Sequence, residues 1–198
     1  MQKTNIPFFI TLISVTAAGP VAMQLYIPSV PSIIKSFDIS LSLAQYAFSL
    51  SLVTMAISML LYGPLSDRYG RKIILLIGMI IFSLGSIIAA FAIDINFLIF
   101  GRILQSIGGA GGLVISRAIV RDIYGPKRAA RVLGILITIF VAAPMIAVII
   151  GGLMSDYFGW RSIFVLSFIL GIIIFFLVYI YLPKMNNSNT ELRNIKST

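Results

Sequence analysis

Gly63-Pro64-Leu65-Ser66-Asp67-Arg68-Tyr69-Gly70-Arg71-Lys72 aligns without gaps to Gly152-Leu153-Met154-Ser155-Asp156-Tyr157-Phe158-Gly159-Trp160-Arg161. Gly, Ser, Asp and Gly recur at the same places, 89 residues apart. Outward from each copy the chain runs into long charge-free apolar stretches. Six of these exist, near 7–28, 43–65, 73–93, 95–116, 132–154 and 162–182, each close to the roughly 20 residues a helix needs to cross a bilayer. The first is too long, and lacks the small-residue cleavage pattern, for a secretory signal peptide, so it counts as structure. The first copy joins spans two and three and the second joins spans five and six, so the copies lie on opposite sides of the membrane. An all-α integral membrane fold follows, six transmembrane helices arranged as an inverted 3+3 repeat, the architecture of secondary transporters.

Composition agrees. Of 198 residues, 59% are hydrophobic and 11% charged, and mean hydropathy is +1.05, far from the roughly one-quarter charged residues of soluble domains. With no cysteine, a disulfide scaffold is excluded. The added absence of histidine leaves no zinc site and no metal to expect. The net charge of +9 sorts by side. With the N-terminus inside, Lys3, Arg68, Arg71, Lys72, Arg117, Arg121, Lys127, Arg128, Arg131, Lys184, Arg193 and Lys196 are cytoplasmic, while only Lys35 and Arg161 are outside. That bias sets both termini in the cytoplasm, and it reads the charge as contact with anionic lipid rather than nucleic acid.

The third and sixth spans are apolar nearly all round and are expected to face lipid. The second carries Ser51, Thr54, Ser58 and Tyr62 on one helical face. The first carries Thr11, Ser14, Gln24 and Tyr26 with a kink expected at Pro20, and the fourth carries Arg102, Gln105, Gly109 and Ser116. Lipid rejects such stripes, so they are expected to need a cover or a water-filled path. Arg102 is the one formal charge within a span. It lies eight residues from Asp94, roughly 12 Å deep at 1.5 Å per residue, and Gln105 shares its face. Gly108-Gly109-Ala110-Gly111-Gly112 is not a phosphate loop, because no Gly-Lys-Ser/Thr follows and it lies in a span. Neither a cofactor nor enzyme chemistry is expected.

These residues carry a resemblance. The 63–72 stretch resembles the loop signature of the major facilitator superfamily. Leu98 to Gly108, with Gly101, Arg102 and Gln105, is similar to the fourth-helix motif of its drug:proton antiporters. Ser116-Arg117 through Arg121-Asp122, with Gly19-Pro20 and Tyr26-Ile27-Pro28-Ser29-Val30-Pro31, resembles the bicyclomycin- and chloramphenicol-resistance (Bcr/CflA) efflux family. The resemblance implies multidrug export by alternating access, in a bacterial inner membrane, of a small amphipathic drug. It implies a path lined by Arg102, Gln105, Gln24 and Tyr26, and a gating loop of Gly63, Asp67, Arg68, Gly70, Arg71 and Lys72. On the fifth helix Pro144, Gly151 and Gly152 stand where antiporters have a bend motif, with alanines for two glycines and Val148 for a proline.

Two departures matter. All six acids, Asp38, Asp67, Asp94, Asp122, Asp156 and Glu191, fall in loops or the tail, so no span supplies the titratable group that proton coupling requires. Complete members of the superfamily also have two six-helix halves. This chain reads as one N-terminal half, residues 1–182, followed by a polar cytoplasmic tail at 183–198. A second half is expected as a separate chain or a homodimeric copy, and the alternative is a non-transporting remnant or a membrane assembly partner.

Overall fold

The computed structural model describes residues 6–183, apart from the side chains of 126–128, and all regular structure among them is helical. α1 (Ile6–Tyr26) passes through a 3₁₀ turn (Ile27–Ser29) into α2 (Val30–Phe37). Then come α3 (Leu41–Tyr69) and α4 (Arg71–Ala90). α5 (Ile95–Gly125) and α6 (Ala129–Phe158) are parted by a break at Gly125 (φ 65°, ψ 171°), and α7 (Arg161–Tyr181) follows. Counting α1 and α2 as one, six helices are long and apolar enough to span a membrane.

The repeat is visible in the backbone. α3 ends at Gly70 (φ 95°) and α6 at Gly159 (φ 80°). Each glycine N–H donates to the carbonyl of the repeat serine four residues back, Ser66 or Ser155, at 3.1 Å, and the next helix starts at once. With ψ of 134° and 160° these corners lie in an extended positive-φ region that costs a side chain about 1–3 kcal/mol, which is why glycine holds both. Contacts put these corners at opposite ends of the bundle. Arg71 reaches Asp122 near the end of α5, whereas Trp160 and Arg161 reach Ser36 after α1 and Ala92 after α4.

Helix ends overrun the apolar runs. The stretch 29–42, expected as a loop, is mostly the 3₁₀ turn and α2, because Pro28 and Pro31 sit in first-turn positions that need no N–H. The loop expected at 117–131 is helical as far as Gly125. Pro20 and Pro144 both lie inside helices that continue through them. The expected tail at 183–198 lies almost wholly outside the described residues.

Two expectations about lipid are corrected. The third span, α4, is 56% buried, while α3 and α6 are the least buried at 22% and 11%. The cause is small residues on α4 and α5. A Cβ on Gly85 would lie 2.6 Å from the Gly101 carbonyl oxygen and 2.8 Å from Gln105 Cα, so these helices touch backbone to backbone. The second correction concerns the polar stripes. Thr11, Ser51, Ser58, Tyr62, Arg102, Gln105 and Ser116 are all buried within this bundle. These seven need no cover from another chain, whereas Ser14, Gln24 and Thr54 of the same stripes are only half-buried.

Candidate transport site

Three of the four expected path residues come together. Arg102, 1% exposed, and Gln105, 2% exposed, sit one turn apart on α5, facing α1 and α4. The Arg102 guanidinium lies 4.6 Å above the ring of Tyr26, itself fully buried at the end of α1. A desolvated cation over an aromatic face gains about 2 kcal/mol. Phe48 of α3 stacks on the same ring at 6.1 Å and Phe164 of α7 packs at 6.4 Å. The Tyr26 hydroxyl donates to the Ala44 carbonyl at 3.3 Å. Helices α1, α3 and α7 thus fix the surface on which Arg102 of α5 rests. Gln24 is half-buried and, among the described residues, takes no part in this network.

Hydrogen bonds around Arg102 all point one way. Its Nη1 donates to Gln105 Oε1 at 2.9 Å and to the Ala22 carbonyl at 3.3 Å. Gln105 Nε2 donates to Ser86 Oγ at 2.9 Å, and Ser86 donates to the Phe82 carbonyl at 2.7 Å. Arginine can only donate, which turns the amide oxygen of Gln105 toward it and the NH2 toward Ser86. No acceptor remains for Nε and Nη2, which are buried without partners. Gly19, Met23, Met55, Phe82 and Ser106 close the space beside them so tightly that no water fits.

Ser86 escaped the sequence reading because a lone serine in an apolar span ordinarily bonds its own helix. Only its position beside Gln105 distinguishes it.

The residues expected to form a gate lie at the other end of α3, and three of them share contacts there. Arg71, 13% exposed in its side chain, pairs with Asp122 at 2.9 Å and with Asp67 at 3.3 Å. Asp122 was assigned only to a loop by the sequence; the structure makes it the closer partner. Lys72 donates to the Tyr179 carbonyl at 2.7 Å and lies over that ring, so it fastens the end of α7. Arg68 lies over Tyr69. Gly63 is inside α3 with open space where a Cβ would be. Among the bend residues, Gly151 has a different task. A Cβ there would meet the Leu25 carbonyl oxygen at 2.7 Å, so it allows α6 to approach α1. Gly152 is unhindered.

Known proteins share this architecture. A family model described as Major Facilitator Superfamily matches residues 12–197. An uncharacterized MFS-type transporter, YdgK, of Bacillus subtilis is 33% identical over 92% of this chain and 46% of its own length. A bicyclomycin resistance protein homolog of Haemophilus influenzae is 28% identical over 96% and 48%, and the multidrug resistance protein D of Escherichia coli is 28% identical over 85% and 43%. The chain therefore spans about half the length of the curated relatives it matches. A bacterial homologue of the human lysosomal transporter Spinster, solved facing inward and unoccupied, superposes with a TM-score of 0.81 at 19% identity, covering 95% of this chain and 45% of its own. The inward-open xylose transporter XylE of Escherichia coli gives 0.66 at 20% identity, over 90% and 48%. The inverted corners, the six spans and these relatives agree: the chain is a multi-pass membrane protein that belongs to the major facilitator superfamily, a family of transporters rather than enzymes.

Proposed function

We propose that the chain is the N-terminal six-helix half of a multidrug exporter, working by alternating access on small amphipathic compounds. The observation that carries this is Arg102, a charge held inside the bundle with donors unsatisfied, where a purely structural arginine would find acceptors. The names of the relatives, a bicyclomycin resistance protein homolog and a multidrug resistance protein, support export as the direction. In this reading Arg102, Gln105 and Tyr26 form the inner wall of the path, with Gln24 joining when the bundle opens. The 63–72 cluster, with Asp122, is the gate. Membrane orientation follows the twelve-to-two distribution of basic residues, with both termini in the cytoplasm of a bacterial-type inner membrane. Any proton coupling requires an acid supplied from outside this chain's spans.

A second six-helix half would seat on α3 and α6. Gln45 and Ser49 on α3, and Gly134, Thr138 and Ala142 on α6, are exposed. Small and polar residues at such spacings suit close helix contact better than acyl chains. The chain has no cysteine, so Thr138→Cys gives an unambiguous crosslinking site in membranes. With a photoactivatable benzophenone attached to that thiol, a crosslinked band at twice the chain's mass would identify a homodimer, and a heavier band of another size a distinct half. A monomer without any band would favour the remnant. In the reconstituted pair, Arg102→Ala abolishes efflux of an amphipathic dye and leaves insertion and abundance unchanged. Equal efflux by that variant overturns the site.

A further inference from the structure

The unsatisfied donors of Arg102 specify what could bind there. A guanidinium carries five N–H donors, and Nη1 uses its two on Ala22 and Gln105. The remaining three, on Nε and Nη2, are buried without an acceptor. Leaving a buried charged donor unpaired is among the larger penalties in a folded chain, and here no water fits beside it. The described acids lie at helix ends or in connections, away from this site. At 1% exposure Arg102 also cannot be reached by a carboxylate on another chain's surface. The group that would complete it must be small, anionic and able to enter the bundle.

An entrance adjoins it. Between α1 and α7 lies a cleft of about 180 Å³, walled by Ala17, Ala18 and Val21 on one side and by Leu170 and Ile174 on the other. That volume exceeds the roughly 150 Å³ engineered cavity known to take up benzene. Its lining includes Ile173, half exposed in the middle of α7 with only apolar residues from Phe168 to Val178 around it, so the mouth opens at hydrocarbon depth. Ala22 and Phe82 border both the cleft and the closed space at Arg102. Of the two, only Phe82 has a side chain with a rotatable ring.

We propose that the α1–α7 cleft admits a lipophilic carboxylate, already ionised when it leaves the bilayer surface, its apolar segment lying in the cleft and its head group completing Arg102 once Phe82 swings aside. This names the substrate class of the exporter proposed above and rests on that reading, but binding itself needs no second half. Affinity arises because the closed, unliganded state carries the unpaired donors and the liganded state does not, a difference between states of the kind that drives a conformational shift.

The test uses the full chain in nanodiscs of neutral phosphatidylcholine. The probe is a twelve-carbon alkyl carboxylate with a diazirine near its tail, compared with the same chain ending in an alcohol or a trimethylammonium. On irradiation the carboxylate labels segments 14–22 and 167–174 at least tenfold more than either control. Arg102→Gln lowers carboxylate labelling to the alcohol's level and leaves the alcohol unchanged. Leu170→Trp, which fills the cleft without touching Arg102, lowers labelling by all three. Equal labelling by the three head groups, carboxylate labelling elsewhere, or full labelling of Leu170→Trp overturns the proposal. Should Arg102→Gln fail to fold, the head-group comparison on the unsubstituted chain and Leu170→Trp still decide. Failures are separable: selective labelling without export refutes only the exporter, and export of amphiphiles without carboxylate preference refutes only this site.

Discussion

Gly85→Ala is the sharpest probe of how the bundle holds its polar centre. The new methyl would lie 2.6 Å from the Gly101 carbonyl oxygen and closer still to the Gln105 amide nitrogen. Ordinary contact begins at 3.4 Å, so α4 and α5 must part by at least about 0.8 Å, and both obstacles are backbone that cannot rotate away. Ser86 follows Gly85 directly. If separation takes up the whole shift, the 2.9 Å bond from Gln105 to Ser86 lengthens to about 3.7 Å and ceases to be one. Overpacking of this kind costs about 1–3 kcal/mol, and an interhelical side-chain bond within a membrane adds about 0.6 kcal/mol. The sum, about 2–4 kcal/mol, corresponds to a fall in Tm of roughly 5–15 °C for a domain of this size. Trp160 is the chain's one tryptophan and is 3% exposed, so its fluorescence in detergent reports the melt. Gly134→Ala is the control. It makes the same substitution in a helix, but its Cβ meets nothing within 4 Å, and it should be neutral or slightly stabilising through helix propensity. If the two variants melt within about 1 °C of each other, backbone contact between α4 and α5 does not organise this site.

The remaining predictions concern the corners and the gate. Gly70→Ala and Gly159→Ala should each destabilise by about 1–3 kcal/mol, since both sit at positive φ with extended ψ; thermal melts giving one large and one negligible effect would refute their equivalence. Arg71→Ala and Asp122→Ala should show a double-mutant coupling below about 1 kcal/mol that shrinks in high salt, as expected for a partly exposed pair. A coupling that resists salt would contradict that reading. Gly63→Leu should leave the Tm of the isolated chain unchanged, because the position is open, yet reduce transport by the assembled pair; unaltered transport would place Gly63 outside any interface.

Span number, order and the opposite placement of the repeat were legible because charge-free runs and a gapless repeat are local in sequence. Helix ends were not. Charge-free length measures lipid depth, and a helix continues into the interface until backbone geometry stops it. α3 runs 29 residues, about 43 Å at 1.5 Å per residue, well beyond a hydrocarbon core of about 30 Å, and only Gly70 ends it. Lipid exposure was misjudged for a related reason. Apolar composition cannot separate a helix wrapped by lipid from one packed through glycines, and α4 is the second kind. Within the site, Arg102 and Gln105 were visible from their spacing. Tyr26 was visible as a residue type, but its stacking under Arg102 depends on where α1 ends against α5. Ser86 and Asp122 became partners only through tertiary placement, on helices whose own sequence gave them ordinary local roles.

Gly70 and Gly159 give the bundle two joints of nearly the same shape at opposite ends, but the fastenings beside them differ in kind. At one end Arg71 holds Asp122 by charge. At the other, Trp160 donates to Ser36 Oγ at 2.9 Å and packs tilted or edge-on against Phe37 and Phe164, while Arg161 donates to the Ala92 carbonyl at 2.9 Å, with no carboxylate in the contact. Added electrolyte weakens the first and scarcely touches the second. Raised ionic strength at the Arg71 end therefore loosens that corner of the bundle, whereas the same change at the Trp160 end leaves its corner fastened.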